Sequence, residues 1–182
     1  MTENRGTAGQ RRVQAVEAGL AAFADHGLTT TAIQQVAGQI GVSQPYVFRL
    51  FGSKQAFFLA CLDELEARLV ATFSHAAQGA THEPLEDMGA GYRSLVSDGV
   101  LSGLWLQACA VARADELVAA RCRALISTVL RVTQDHTDVS TDELAAFLGR
   151  GALVAMLQAL GVDLRQGSQA AVAALREAGD TP

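Results

Sequence analysis

The sequence predicts an all-α protein, and three observations carry that expectation. Apolar residues recur at spacings of three and four along most of the chain, the strict alternation of a strand is absent, and glycine, serine or proline interrupts the pattern at short intervals. The arrangement expected is an N-terminal three-helix unit, a long fourth helix and a C-terminal helical region, about nine helices in all.

The first helix is expected from Gln10 to His26, with Val13, Val16, Leu20 and Phe23 on its inner face and Gly27 as its stop. The most informative stretch follows, from Thr31 to Lys54. Ile33, Val36, Ala37 and Ile40 make one apolar stripe, Thr31 and Gln34 have the spacing of a capping box, and Gly41 suits the positive φ of a sharp reversal. After the corner Gly41-Val42-Ser43, Ser43 is placed to cap a short helix that tolerates Pro45 in its first turn and buries Val47 and Phe51. Gln44, Tyr46 and Arg49 are left facing outward. Two short helices at a tight corner, the second with such a polar face, suit the groove of a duplex.

Gly52 and the cap Ser53 precede an unbroken pattern carrying Phe57, Cys61, Leu65, Leu69 and Phe73 to about Ala77. A helix that starts against the recognition helix and ends far from it is a natural lever. Beyond a loop at Gly79 to Pro84, helices are expected at about Leu85 to Asp98, Leu101 to Arg113, Asp115 to Asp135, Thr141 to Leu160 and Ser168 to Ala178.

Composition excludes several classes. The longest apolar runs, Val100 to Ala112 and Ala152 to Val162, fall short of the roughly 20 residues of a membrane span, and the polar N-terminus lacks the apolar core of a secretory signal. A cytoplasmic protein without membrane contact is expected. Cys61, Cys109 and Cys122 form no C-x-x-C pair, and His26, His75, His82 and His136 show no metal-binding spacing, so reduced thiols, no metal and no cofactor are expected. The net charge of −5 divides unevenly: the chain through Lys54 carries +2 and the remainder −7. A basic head on an acidic body presents one end to phosphates.

The order Phe23…Gly27, Val36-Ala37, Gly41-Val42-Ser43 and Val47-Phe48-Arg49-Leu50-Phe51-Gly52-Ser53-Lys54 resembles the N-terminal part of TetR-family transcriptional regulators, from about Arg12 to Leu62. The resemblance implies a helix-turn-helix DNA-binding domain over residues 1–53 and a helical ligand-binding and dimerisation domain over 54–182. It implies base-edge contacts from Gln44, Pro45 and Tyr46, and phosphate contacts from the position of Phe48 and from Lys54. The chemistry of Gln44 suits adenine, and that of Arg49 suits guanine or a phosphate. With Thr31 and Ser43 these make the candidate DNA-binding set. The chain departs from the family where Phe48 replaces a usual tyrosine, Leu50 a histidine or tyrosine, and Ala32 a threonine. Phosphate anchoring is then expected to be weaker, or to shift toward Arg49 and toward Arg11 and Arg12 on the leading arm.

In the C-terminal region Tyr92, Leu101, Trp105, Cys109, Phe147 and Met156 are candidates to line a pocket for a small apolar ligand. Half-site reading requires a symmetric pair of heads, and Leu144, Leu148, Gly151, Ala152, Ala155 and Leu157 are the candidate homodimer interface. The function expected is a repressor released from a palindromic double-stranded DNA operator by that ligand, without catalysis. Two rivals remain: a DNA-binding dimeric scaffold with no small ligand, and a helical enzyme using Cys109 or Cys122 with His136 as base.

Overall fold

The computed structural model describes residues 7–78, 83–162, 164, 172, 173, 175 and 176. Among them run eight helices and no strand: α1 Ala8–His26, α2 Thr30–Gln39, α3 Gln44–Phe51, α4 Lys54–Gln78, α5 Pro84–Leu95, α6 Val100–Ala112, α7 Glu116–His136 and α8 Thr141–Ala159. The ninth helix expected over 168–178 lies outside the described residues apart from 172, 173, 175 and 176, as do residues 79–82 of the expected loop.

Helices α1 to α3 close around aromatic rings supplied partly by α4. Phe23 meets Phe57 and Phe58 edge-on, each at 5.1 Å between centroids, and Phe51 stacks on Phe57 at 4.0 Å. All but Phe51 are fully buried, and each buried ring contributes about 1.5–3 kcal/mol. The inner face of α1 differs from the expected one. Val13 is 71% exposed, while Ala15, Ala18, Gly19 and Ala22 are buried beside Leu20 and Phe23. Close approach is the reason: a Cβ on Gly19 would lie 2.7 Å from Cys61 Sγ and 2.8 Å from the Phe57 ring, so only small residues fit between α1 and α4.

Helix α2 also begins earlier than expected. Its cap is Thr29, whose backbone is extended and whose side-chain oxygen accepts from the Ala32 amide at 3.4 Å, and the expected Thr31–Gln34 capping box does not form. The reversal at Gly27, with φ of 61°, sets this start, because Thr29 N then donates to the Gly27 carbonyl at 2.8 Å. At the corner, Gly41 has the expected positive φ of 67°.

The body is built on α4. Gly91 lets α5 approach it, since a Cβ there would stand 2.9 Å from Thr72 Cγ2. Arg121 of α7 donates to Asp63 and Glu66, each at 2.7 Å, and Arg68 of α4 pairs with Glu17 of α1 and Glu64. Such partly exposed pairs fix helix register more than they add stability. Asp115 caps α7 through the Leu117 and Val118 amides, and Ser140 with Glu143 forms a capping box on α8. Helix α6 packs on α1, α7 and α8, which ties the head to the body independently of α4. There Gly103 faces Ala24, with a would-be Cβ contact of 3.2 Å, and Gln107 donates to the Ala24 carbonyl at 3.4 Å.

Candidate nucleic-acid interface

Helix α3 owes its orientation to Val47 and Phe51, which are buried and leave one side of eight residues outward. On that side Arg49 is exposed, with its guanidinium carbon 4.7 Å from the centroid of the half-buried Tyr46 ring. The stacking holds the long side chain against α3 rather than against a carboxylate. Gln44 is half-buried, Pro45 is exposed, and Phe48 is 36% exposed, an apolar ring facing water. Ser43 occupies the cap position without a side-chain cap hydrogen bond, so its hydroxyl is not consumed by α3. Thr31, on α2, is exposed, and Lys54 opens α4.

Arg11 and Arg12, expected as supplementary phosphate anchors on a leading arm, stand on α1 and serve the head itself. Arg11 donates to the Ile40 carbonyl at 3.0 Å, and Arg12 to the Leu50 carbonyl at 2.6 Å with its guanidinium 4.3 Å from the Phe51 centroid. Each cation satisfies a carbonyl at the end of α2 or α3, where helices leave such groups unpaired.

Behind the head lies a cavity of about 690 Å³, bounded by α4, α5, α6, α7 and α8. Its floor is apolar: Leu69 and Phe73 of α4, Leu101 and Trp105 of α6, Val129 of α7 and Phe147 of α8. Phe73 and Phe147 meet edge-on at 5.6 Å. Tyr92 also lines it, and burial pushes its phenol up to about 12, so the hydroxyl stays neutral. Four candidates, Tyr92, Leu101, Trp105 and Phe147, therefore share one cavity. Cys109 and Met156 lie outside it, both exposed. Cys109 is eight residues past Leu101, which on a helix turns it roughly 80° away from that wall.

Residues 15–61 match the sequence profile of the family described as "Bacterial regulatory proteins, tetR family". The N-terminal unit is therefore similar to that of TetR-family regulators. Comparison with curated proteins returns no match. Among solved structures, a TetR-like transcriptional regulator from Rhodococcus sp. RHA1 is 24% identical, with a TM-score of 0.58 over 83% of this chain and 85% of that one. A proposed TetR-family transcriptional regulator from Rhodococcus sp. is 21% identical, with a TM-score of 0.61 over 82% and 85%. A third, proposed as a TetR-family regulator from Mesorhizobium loti MAFF303099, is 14% identical, with a TM-score of 0.57 over 82% and 81%. The likeness extends a TetR-type fold through the body.

Within this TetR-type fold, α8 presents its faces differently from expectation. Leu144, Ala155 and Leu157 are buried inside the protomer, and Leu148 and Gly151 line the cavity. Of the six candidate interface residues only Ala152 is exposed, at the cavity rim. The outward stripe is Ala145, Gly149, Ala152 and Met156, spaced by four, three and four, with Met156 48% exposed and open space over Gly149. Small residues on α8 were legible; which of the two stripes faced inward was not, because both are apolar.

The thiols of the TetR-type body are poorly suited to nucleophilic work. Burial raises Cys109 and Cys122, and burial followed by the charges of Glu64, Asp63 and Glu17 raises Cys61. A catalytic cysteine needs the opposite shift. Among the described residues no group of His, Cys, Asp and Glu could hold a metal ion, and no single helix is long and apolar enough to cross a membrane.

Proposed function

We propose that this chain is a homodimeric transcriptional repressor that grips a palindromic double-stranded DNA operator through α3 and releases it when a small, largely apolar molecule occupies the cavity. The observation that carries the reading is the outward face of α3, Gln44, Tyr46 and Arg49, on a head that matches the TetR family. Residues 1–53 form the DNA-reading head and 54–182 the ligand-binding and dimerising body. Gln44 pairs with an adenine edge; Arg49, steadied by Tyr46, reaches guanine or a phosphate. Thr31, Ser43 and Lys54 hold the backbone, and Phe48 with Pro45 supplies apolar contact to thymine methyls or sugars. A two-fold pair places the recognition helices about 34 Å apart, and the Ala145, Gly149, Ala152 and Met156 stripe is the surface for that pairing. The cavity favours a ligand-responsive regulator over a scaffold, and the raised thiols disfavour a cysteine enzyme.

Selection of bound fragments from random DNA yields the operator on which the residue roles are tested. Gln44→Ala and Arg49→Ala are expected to weaken binding by about 1–3 kcal/mol with altered base preference, while Lys54→Ala weakens all sequences alike. Equal losses on every sequence for all three variants would remove base reading from α3, and no selected sequence at low salt would remove the DNA reading.

A further inference from the structure

The cavity wall carries two guanidiniums, Arg93 from α5 and Arg150 from α8, against one carboxylate, Glu86. The ion pairs among the described residues engage Arg68, Arg121 and Arg123 and leave both cavity arginines unused. Gly89 shapes the placement of Arg93: a Cβ there would stand 3.5 Å from Arg93 Nη1 and 4.0 Å from the Phe147 ring. The guanidinium thus lies along bare α5 backbone, on the Phe147 side of the cavity. Arg93 also lines an adjoining cavity of about 590 Å³ shared with Ser94, Ser97 and Gln158, so it stands where an apolar compartment meets a polar one. Asp98 and Glu86 are the acids of the two compartments, and neither has Arg93 as an ion-pair partner. Near it the neutral Tyr92 phenol offers a further O–H donor in the same cavity.

A cation beside an apolar ring, without an ion-pair partner among the described residues, is half of a binding site, because an anion of the right shape recovers the hydration that the guanidinium has lost. We infer that the cavity takes an amphipathic monocarboxylate, its hydrocarbon or aromatic body along Phe73, Trp105 and Phe147 and its carboxylate on Arg93, with Arg150 closing from the rim. This deepens, and rests on, the reading of the cavity as the effector site. The planar fork of Arg93 matches a carboxylate in two parallel hydrogen bonds, which an alcohol cannot reproduce and an amine opposes.

Trp105 is the only tryptophan of the chain and stands in the cavity wall, so its fluorescence reports occupancy directly. The full chain is titrated with decanoate, decan-1-ol and decylamine, three probes of one length and three charges. Decanoate is expected to bind about tenfold or more tightly than decan-1-ol, with decylamine weakest. Arg93→Gln is expected to collapse the preference for decanoate while leaving decan-1-ol affinity unchanged, and Arg93→Lys to restore part of it. A folded circular-dichroism signature and a cooperative melt qualify each variant, and Arg150→Gln, an exposed rim change, gives a second route with a smaller loss. Equal binding of decanoate and decan-1-ol, or tightest binding of decylamine, would overturn the carboxylate assignment and leave the effector cavity standing. If none of the three changes Trp105 emission or the melting temperature, the effector cavity falls as well.

Discussion

A guanidinium at position 12 is placed where a phosphate contact and an internal tie give the same result in a single binding assay. Arg12 donates to Leu50 and covers Phe51, so its loss loosens the end of α3 without removing any group from the DNA-facing side. Salt dependence separates the two roles, because a phosphate contact releases counterions and an internal tie does not. Arg12→Ala is expected to weaken operator binding while leaving the slope of log K against log salt unchanged, whereas Lys54→Ala lowers that slope by about one. A slope that falls equally in both variants would place Arg12 on the DNA. Periodicity reveals Arg49 as an outward position on a short helix, whereas the resemblance and the start of α4 mark Lys54. It cannot distinguish a cation that faces solvent from one that caps a neighbouring helix, since Arg11 and Arg12 acquire their partners only when α2 and α3 fold back on α1. Val13 is misread for a related reason: periodicity rewards bulk, while the α1–α4 contact is close enough to require Ala15, Ala18 and Gly19.

Helix ends are the most legible elements, and their polar caps make the fold sensitive to acid. Asp115 accepts from Val118, from Gln55 of α4 and from Leu117, and these bonds hold its carboxyl below the usual range. The Ser140 backbone amide and then its hydroxyl do the same for Glu143. A carboxyl with a lowered folded pKa binds protons less readily than its unfolded counterpart. Its stabilisation is therefore complete above the ordinary values, 3.8 for Asp115 and 4.5 for Glu143, and is lost as pH falls through the folded ones. Melting temperature is expected to decline below about pH 4.5, and Asp115→Asn, which keeps an acceptor at the cap but cannot titrate, is expected to flatten that decline. An identical decline in the variant would assign the acid sensitivity to other carboxylates. Capping chemistry identifies Ser53 from sequence because it precedes a long periodic segment, and the same chemistry appears in the structure at Asp115 and Ser140. It fails at α2, where three consecutive threonines compete and the turn at Gly27 selects Thr29.

At the scale of the whole molecule, α6 joins the proposed effector site to the head more directly than the α4 lever does. One side of α6 puts Leu101 and Trp105 in the cavity; another puts Gly103 against Ala24 and Gln107 on the Ala24 carbonyl, near the end of α1. Sequence alone could not show this contact, because α6 is apolar on nearly every side and its pattern names no partner helix. A ligand that displaces Trp105 must either disturb the Gly103–Ala24 contact or carry α1 with it, since a would-be Cβ already finds only 3.2 Å there. Coupling between cavity and operator is then a free energy shared by both sites and must be reciprocal. If decanoate lowers operator affinity by some factor, saturating operator must lower decanoate affinity by the same factor, typically about 5–150-fold for 1–3 kcal/mol. Two titrations measure it: Trp105 fluorescence with and without operator duplex, and operator binding with and without decanoate. Gln107→Ala, which removes the hydrogen bond to α1 while leaving the cavity wall intact, is expected to shrink both factors together. Unequal factors would show that the two measurements report different states, and an unchanged coupling in Gln107→Ala would return the transmission to α4.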